Sequence, residues 1–475
     1  MPDLPSKTPF PLPIPLDLEK AIALLKKRGA TCRLVGGCVR DALLGETPSD
    51  FDVEVYGLEL ETIANTLQAI GRTDRVGKSF AVVKLWRHGC EYDFSVPRTE
   101  SKSGTGHRGF EIRPDTALDE RTALRRRDFT INALLYDPEE KVIIDYFGGR
   151  ADLERGVLKH VSEAFSEDPL RVLRAFQFAG RFGFELHADT AALCKRMKPE
   201  FSSLALERIW GEWRKWAVKS KKPSKGMIAL RDSGWIAFFP EINALLRLPQ
   251  DPEWHPEGDV FTHTLHCLDA LVEKTKWKDL DETLRATLVF GTLCHDLGKA
   301  RQTRFAEKQG QLRWISPGHD QDSGWLSQRL LKRIGAPIAL GEKVKTLVEN
   351  HHFLNSFSNS LPSDTSLRRL SRRIHPATTN ELLYVMRSDH LGRPPLVSPE
   401  QEKRLDDFAH RISELAVKDS APKQILQGRH LIELGLKPGP TFKSILSQAY
   451  EAQLNGDFDT SDEGIEWIRD QGLIE

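Results

Sequence analysis

The residues best equipped for chemistry lie near the N-terminus. Gly36-Gly37-Cys38-Val39-Arg40-Asp41 is followed, nine residues on, by Asp50-Phe51-Asp52. The strand-like run Cys32 to Val35 ends in the glycine pair, which lets backbone N–H groups approach a phosphate closely. Asp50 and Asp52 stand two apart at a second predicted strand, Phe51 to Val55, and so project from one face of a sheet. Paired carboxylates suit a hard cation such as Mg²⁺ and leave positions open for substrate phosphates. Asp93, in Glu91-Tyr92-Asp93-Phe94, can join them from a neighbouring strand. Three carboxylates around two metals suit in-line phosphoryl transfer. A D-x-D alone usually marks a solvated turn, and a Gly-Gly alone a tight bend. Their order and spacing together point to phosphate and metal chemistry.

Two further clusters extend this reading. Arg126-Arg127-Asp128-Phe129-Thr130-Ile131-Asn132 sets two guanidiniums, well shaped for a triphosphate, beside Asp128 and Asn132. On a helix those two would share a face and suit ribose hydroxyls. In Glu167-Asp168-Pro169-Leu170-Arg171-Val172-Leu173-Arg174, Pro169 fits a first helical turn behind an acidic cap. Asp168, Arg171 and Arg174 then line one face. An Asp acceptor beside an Arg donor complements cytosine and adenine, which present an amine next to a ring nitrogen, and rejects uracil and guanine. Standing alone, the segment would be an ordinary surface ion pair. Far downstream, His263, His295-Asp296, His319, His351-His352 and Asp389 are spread through helical segments. Imidazoles and carboxylates from several helices suit a divalent transition metal that activates water against a phosphoester.

The elements that must position these groups follow from periodicity. A Pro-rich stretch, 1–16, reads as an extended, disordered tail, and short β-like runs at 31–35, 51–56, 81–86 and 90–96 flank a helix at about 58–70. Residues 97–113 are too rich in Gly and Ser for regular structure, 117–136 reads as helical, and 142–149 as a strand and turn. From 157 to 245 the pattern is helical, with Trp210, Trp213 and Trp216 as a packing stripe. Three prolines between Leu248 and Gly258 mark a linker before a second helical unit. The expected division is a head at 17–150, a helical neck and body at 151–247, a helical unit at 259–395 and a helical C-terminal region at 396–475. Net charge is zero, so any nucleic-acid contact must come from local patches such as Arg125-Arg126-Arg127 or the seven Lys and Arg between Arg208 and Lys225. Six scattered cysteines without a C-x-x-C argue for reduced thiols in the cytoplasm. No apolar run reaches membrane-spanning length.

In this order, G-G-x-V-R-D, S-D-F-D-V-E, R-R-D-F-T-I-N-A, Asp145-Tyr-Phe-Gly-Gly149 and E-D-x-x-R resemble the class II tRNA nucleotidyltransferases, the CCA-adding enzymes, over residues 31–240. The resemblance implies an α+β, polymerase-β-like head followed by an all-helical neck and body, which adds CCA to the tRNA 3′ end from CTP and ATP. Asp50 and Asp52 would hold Mg²⁺. Gly37, Arg40 and Arg127 would hold the triphosphate, with Gly36, Asp41, Arg126, Asp128 and Asn132 also among the nucleotide-binding residues. Asp168 and Arg171 would read the base, Arg174 nearby. One departure is Gln177, where many relatives continue with a third arginine. The downstream set resembles the HD phosphohydrolase family, which implies His263, His295, Asp296 and Asp389 as ligands of Ni²⁺ or Mn²⁺, with His319, His351 and His352 around the substrate. Relatives that add only CC or only A, or that polyadenylate RNA, stay open, although Gly77-Lys78-Ser79-Phe80 lacks the paired basic residues expected of the last. A nucleotide-sensing HD hydrolase with a binding-only head is the rival from another class.

Overall fold

Strand alternation sets the first layer. Along Phe51–Tyr56, Phe51, Val53 and Val55 are buried on one face while Asp52 stays exposed on the other. The buried face is covered by Leu18, Ala21 and Leu25 of the helix Leu16–Lys26 and by Ile63 and Leu67 of Leu60–Leu67. The computed structural model describes residues 4–76, 82–102, 110–357 and 360–474. They divide into two units, Met1–Ala237 and Phe238–Glu475.

In the first unit an eight-stranded sheet runs, edge to edge, Ser6–Pro9, Val142–Asp145, Leu134–Asp137, Thr31–Val35, Phe51–Tyr56, Cys90–Ser95, Val82–Arg87 and Arg72–Val76. Phe51–Tyr56 and Cys90–Ser95 pair in parallel, in a register that sets Asp52 opposite Asp93. The helix Leu170–Phe182 packs on Leu206–Lys219 and Pro223–Asp232. Trp213 and Trp216 are fully buried there, with ring centroids 4.7 and 5.1 Å from that of Phe176, as the packing-stripe reading expects.

Three local expectations change. Within the Pro-rich tail, Ser6–Pro9 docks as an edge strand on Val142–Asp145, a place where proline costs no ladder bond, and Leu12 joins the core. Residues 98–102 pair antiparallel with 110–114; the alternation of Phe110-Glu-Ile-Arg carried a strand signal that the Gly and Ser content masked. Residues 103–109, like Gly77 to Phe80, lie outside the described residues. The stretch 117–136 is not one helix. It breaks into Glu120–Leu124, a 3₁₀ turn Thr130–Asn132 and the strand Leu134–Asp137, whose Leu134, Leu135 and Tyr136 are buried in mid-sheet.

The second unit is mostly helical. Val260–Lys274, Glu282–Cys294, His319–Arg333, Ile338–Val348 and Thr379–Leu391 form its centre, the first two capped by Asp259 and Asp281. Its departure from an all-helical pattern is a hairpin, Arg304–Lys308 with Gln311–Ile315. Gln309 and Gly310 turn it at φ 54° and 77°, the positive-φ pair a two-residue hairpin loop needs. The helices Pro399–Glu414, Gly428–Glu433, Pro440–Asn455 and Ser461–Asp470 follow, with a small core around Leu426, Leu431, Ile445, Phe458 and Ile468.

Candidate functional site

In the first unit, one point gathers the phosphate and carboxylate groups. Gly36 sits at φ 79°, and a Cβ there would lie 2.8 Å from Arg127 Nη1 and 3.6 Å from Asp52 Oδ2. The backbone conformation calls for glycine here, and the tip of the flexible Arg127 side chain comes close to it. Asp52 reaches solvent at its outer edge but is crowded on its inner side. That desolvation, opposed by Arg127 and reinforced by Asp93 and Asp50, raises its pKa above the usual carboxylate range. Three mutually repelling carboxylates that offer hard oxygen donors fit a divalent cation. Lys84, which sequence reading missed, stands 3.1 Å from Asp93 and also pairs with Glu91. Its position two strands along gives no motif.

Arg40 and Asp41 are both engaged by protein partners. Arg40 is 4% exposed, beneath the rings of Phe178 and Phe182, and donates to Asn132 at 2.5 Å and to Asp41 at 2.8 Å. Asn132 in turn donates to Asp128 at 2.8 Å, and Arg174 grips the other Asp128 oxygen at 2.6 and 2.8 Å. Asp128 and Asn132 do meet, but across the 3₁₀ turn rather than on an α-helix. Arg40, Asp128, Asn132 and Arg174 thus satisfy one another in a buried chain that ties the sheet to the helix Leu170–Phe182. Burial works against ionisation of Asp128, yet Arg174 and Asn132 hold its pKa at about 2. A carboxylate depressed from 3.8 to about 2 contributes about 2 kcal/mol of stability, present above pH 4 and lost as pH falls toward 2. Asp128→Asn should cost at least that at pH 7. The gap from the parent in denaturant midpoints should narrow below pH 4 and close only as pH falls through about 2; an unchanging gap would contradict the ion pair.

In the Glu167 to Arg174 segment, Asp168 Oδ1 accepts the Leu170 N–H at 3.0 Å and Oδ2 pairs with Arg208 at 2.8 Å. Arg171 donates through both terminal nitrogens, to the carbonyls of Ala164 and Arg126 at 2.6 Å each, which leaves a second N–H on each nitrogen. Arg174 turns away to Asp128. Arg126 leans on Glu54 at 3.4 Å. Arg208 was not singled out by sequence reading, because it comes from another helix.

In the second unit, four histidines converge, three of them by one local device. His295, His319 and His351 each direct Nδ1 at the carbonyl three residues back, Thr292, Ser316 and Val348, at 2.7, 2.7 and 2.6 Å. His263 Nδ1 meets Glu257 Oε1 at 2.8 Å. Every Nε2 is thereby presented inward. His263 Nε2 lies 3.3 Å from His295 Nε2, 3.1 Å from Asp389 Oδ1 and 3.7 Å from Asp296 Oδ2, and His295 Nε2 lies 3.2 Å from Asp296 Oδ2. Ligands about 2.0–2.2 Å from a shared ion would sit at such spacings. His351 Nε2 is buried without a hydrogen-bond partner among the described residues, while Asp296 Oδ2 pairs with Lys299 at 2.8 Å and Asp296 Oδ1 meets His319 Nε2 at 3.1 Å. The residues fit a divalent metal. Burial opposes ionisation of Asp296 and Asp389, but His295 and Lys299 beside the first and Arg393 beside the second hold both well below the carboxylate range. Gly298 lets this happen: a Cβ there would lie 2.0 Å from the His319 carbonyl, so the turn after His295-Asp296 meets the start of the next helix. His352 stacks beside His319 and His351, with ring centroids 4.9 and 3.9 Å away.

Sequence reading missed Glu257, Lys299, Arg393 and Cys267. Cys267 Sγ stands 3.3 Å from His263 Nε2, and the four-residue spacing on one helix was the signal. His255 shares Glu257 with His263.

Known proteins carry the same parts. Residues 32–159 match the family described as "Poly A polymerase head domain", 183–246 the "Probable RNA and SrmB- binding site of polymerase A", and 260–393 the "HD domain". The chain is similar to a multifunctional CCA protein of Nitrosospira multiformis, 35% identical over 368 residues, covering 76% of this chain and 83% of the relative. It is 36% identical over 372 residues to one from Laribacter hongkongensis, covering 76% and 85%. Its fold matches the CCA-adding enzyme of Bacillus stearothermophilus in complex with CTP, with TM-score 0.64, 20% identity and 97% and 98% coverage. The Thermotoga maritima CCA-adding enzyme complexed with tRNA matches with TM-score 0.60, 20% identity and 97% and 96% coverage. With head, RNA-binding segment and HD domain in one order, and relatives matched over most of their length, this chain belongs to the multifunctional CCA protein family.

Proposed function

We propose that the chain adds CCA to the 3′ end of tRNA from CTP and ATP without a nucleic-acid template, and that its HD domain hydrolyses phosphoesters. The observation that carries the first activity is the meeting of Gly36, Arg127 and Asp52 at one point, with Asp50 and Asp93 beside it. The tRNA 3′-hydroxyl attacks the α-phosphate of CTP or ATP; a P–O bond forms, the bond to the β-phosphate breaks, and pyrophosphate leaves. Asp50, Asp52 and Asp93 would hold Mg²⁺, which when bound supplies charge neutralisation at the reacting phosphate. Arg127 balances the triphosphate, while backbone at Gly36 and Gly37 allows its close approach. Arg40, Asp41, Asp128, Asn132 and Arg174 position this machinery through the buried chain described above.

Asp168 and Arg171 would read the base, Asp168 steadied by Arg208 and Arg171 by two carbonyls. Losing one partner in a shielded site costs roughly 1–3 kcal/mol, so Arg171→Ala should relax discrimination against UTP and GTP about ten- to a hundred-fold. Equal slowing of all four nucleotides would make Arg171 a structural residue instead.

His263, His295, Asp296 and Asp389 would hold the HD metal, Ni²⁺ or Mn²⁺, which when bound supplies an activated water. Water adds to phosphorus and one P–O ester bond breaks. His319, His351 and His352 line the substrate side, with Lys299 and Arg393 as nearby cations. A 2′,3′-cyclic phosphate or a 2′-nucleotide suits an RNA enzyme. The six unpaired cysteines suit the cytoplasm, and no helix among the described residues is long and apolar enough to cross a membrane. Offering tRNA transcripts lacking CCA, CA or A with CTP and ATP, and sequencing the products, tests the main reading. CC-only, A-only or poly(A) products would replace it.

A further inference from the structure

One row of residues crosses three strands of the head sheet. In register, Asp52 of Phe51–Tyr56 faces Asp93 of Cys90–Ser95, and Asp93 faces Lys84 of Val82–Arg87. Side chains directly opposite one another share a face of the sheet, so the carboxylate pair has an ammonium at its outer end. Lys84 Nζ lies 3.1 and 3.3 Å from the two oxygens of Asp93. It also pairs with Glu91, two residues before Asp93 on the same strand. Glu91 has an anchor of its own: its second oxygen accepts the Trp86 indole N–H at 2.8 Å.

An ordinary cross-strand ion pair needs one carboxylate. Here one ammonium serves two, and one of them belongs to the phosphoryl-transfer site. Asp50, Asp52 and Asp93 repel one another, and the charge of Lys84 reaches far enough to oppose that repulsion at Asp52. Lysine suits this place better than arginine. Its ammonium is a compact point charge with rotatable donors on a flexible stem, able to pass between neighbouring acceptors, whereas a guanidinium fork fixes one geometry. The pair is only partly shielded, with the side chains of Lys84 and Asp93 24% and 34% exposed, so parting it costs little. Glu91, held by Trp86, offers the ammonium a second berth.

We propose that Lys84 is the displaceable counter-ion of this carboxylate set: it neutralises Asp93 in the metal-free protein, and moves over to Glu91 when a divalent cation draws on Asp93. The inference rests on the reading of Asp50, Asp52 and Asp93 as the Mg²⁺ carboxylates, and adds the residue that sets their affinity. Lys84 is then a positioning residue, acting through Asp93 and not on the nucleotide. Its effect is to weaken the bare carboxylate site, so that triphosphate oxygens are needed to complete it.

The test is Mn²⁺ binding to the full-length chain without nucleotide, followed by electron paramagnetic resonance. The Mn²⁺ held by Asp52→Asn is subtracted as the share bound elsewhere in the chain. Lys84→Met should tighten binding about fivefold, the upper end for a partly exposed ion pair, and lower the Mg²⁺ concentration for half-maximal CCA addition to match. Lys84→Arg, which keeps the charge, should return most of that difference. Glu91→Gln should act in the opposite direction, because Lys84 is then left with Asp93 alone. Simple loss of a negative charge would do the same, so the double variant decides. In the Lys84→Met background Glu91→Gln should change nothing, since it acts through Lys84. Unchanged Mn²⁺ affinity in Lys84→Met, or equal effects of Glu91→Gln in both backgrounds, overturns the counter-ion. Asp93→Asn separates this inference from the reading beneath it. If Asp93→Asn weakens Mn²⁺ binding while Lys84→Met leaves it alone, the counter-ion falls and the carboxylate set stands. If Asp93→Asn binds Mn²⁺ like the parent, Asp93 leaves the set and the counter-ion goes with it.

Discussion

Replacing Asp52 by Asn should slow nucleotide addition by at least about a thousand-fold. The carboxylate sits beside Asp50 and Asp93 and within reach of Arg127, where it would hold Mg²⁺. Losing that support removes several kcal/mol of charge stabilisation from the transition state, and every 1.36 kcal/mol is a factor of ten. The stability effect should have the opposite sign. Folding raises the Asp52 pKa, so its ionised form is a liability that grows as pH rises through that folded value. At pH 7 Asp52→Asn should therefore hold or raise Tm while addition collapses. Hydrolysis at the HD domain should continue. Near-normal addition by the variant would remove Asp52 from the metal set; a fall in Tm would contradict the crowding argument.

Asp296→Ala should produce the complementary separation. Asp296 Oδ2 lies 3.2 and 3.7 Å from the Nε2 atoms of His295 and His263 and 2.8 Å from Lys299 Nζ. Removing a residue that merely orients a metal ligand costs about 10–100-fold in affinity or activity, so deleting a ligand itself should exceed that range. Bound Ni²⁺ or Mn²⁺, measured by elemental analysis after dialysis, should drop to background together with hydrolysis of 2′,3′-cyclic nucleotides. CCA addition should be unchanged, since its residues belong to the other unit. Full metal retention by the variant would leave His263, His295 and Asp389 as a sufficient site and make Asp296 a substrate-side residue.

Which groups could be found in the sequence, and which could not, follows from the distance over which each is defined. Asp50, Asp52 and Asp93 were legible because strand alternation assigns a face from residues two apart, and a register then adds the neighbour strand. The histidines were legible because each is fixed by its own helix end. The burial of Arg40 was not legible because its partner, Asn132, is 92 residues away, and nothing near Arg40 says that its guanidinium is covered. Arg174 likewise turns to Asp128, 46 residues back, rather than joining Asp168 and Arg171. Lys84, Arg208, Glu257 and Arg393 carry no motif, and only packing brings them in. The edge strand Ser6–Pro9 escaped for the same reason, since its prolines hide a pairing that the partner strand supplies.

The chain of contacts from Arg40 through Asn132 and Asp128 to Arg174 has a consequence for how three nucleotides are added in succession. Arg40 and Asp128 in it are removed from water, while Arg174 keeps 33% of its side chain exposed, and parting Asp128 from its partners would strand a buried charge at several kcal/mol. The sheet that carries Asp50, Asp52 and Asp93 is therefore tied to the helix that follows Asp168, and any movement of that helix against the sheet between additions would have to break this linkage or carry it along.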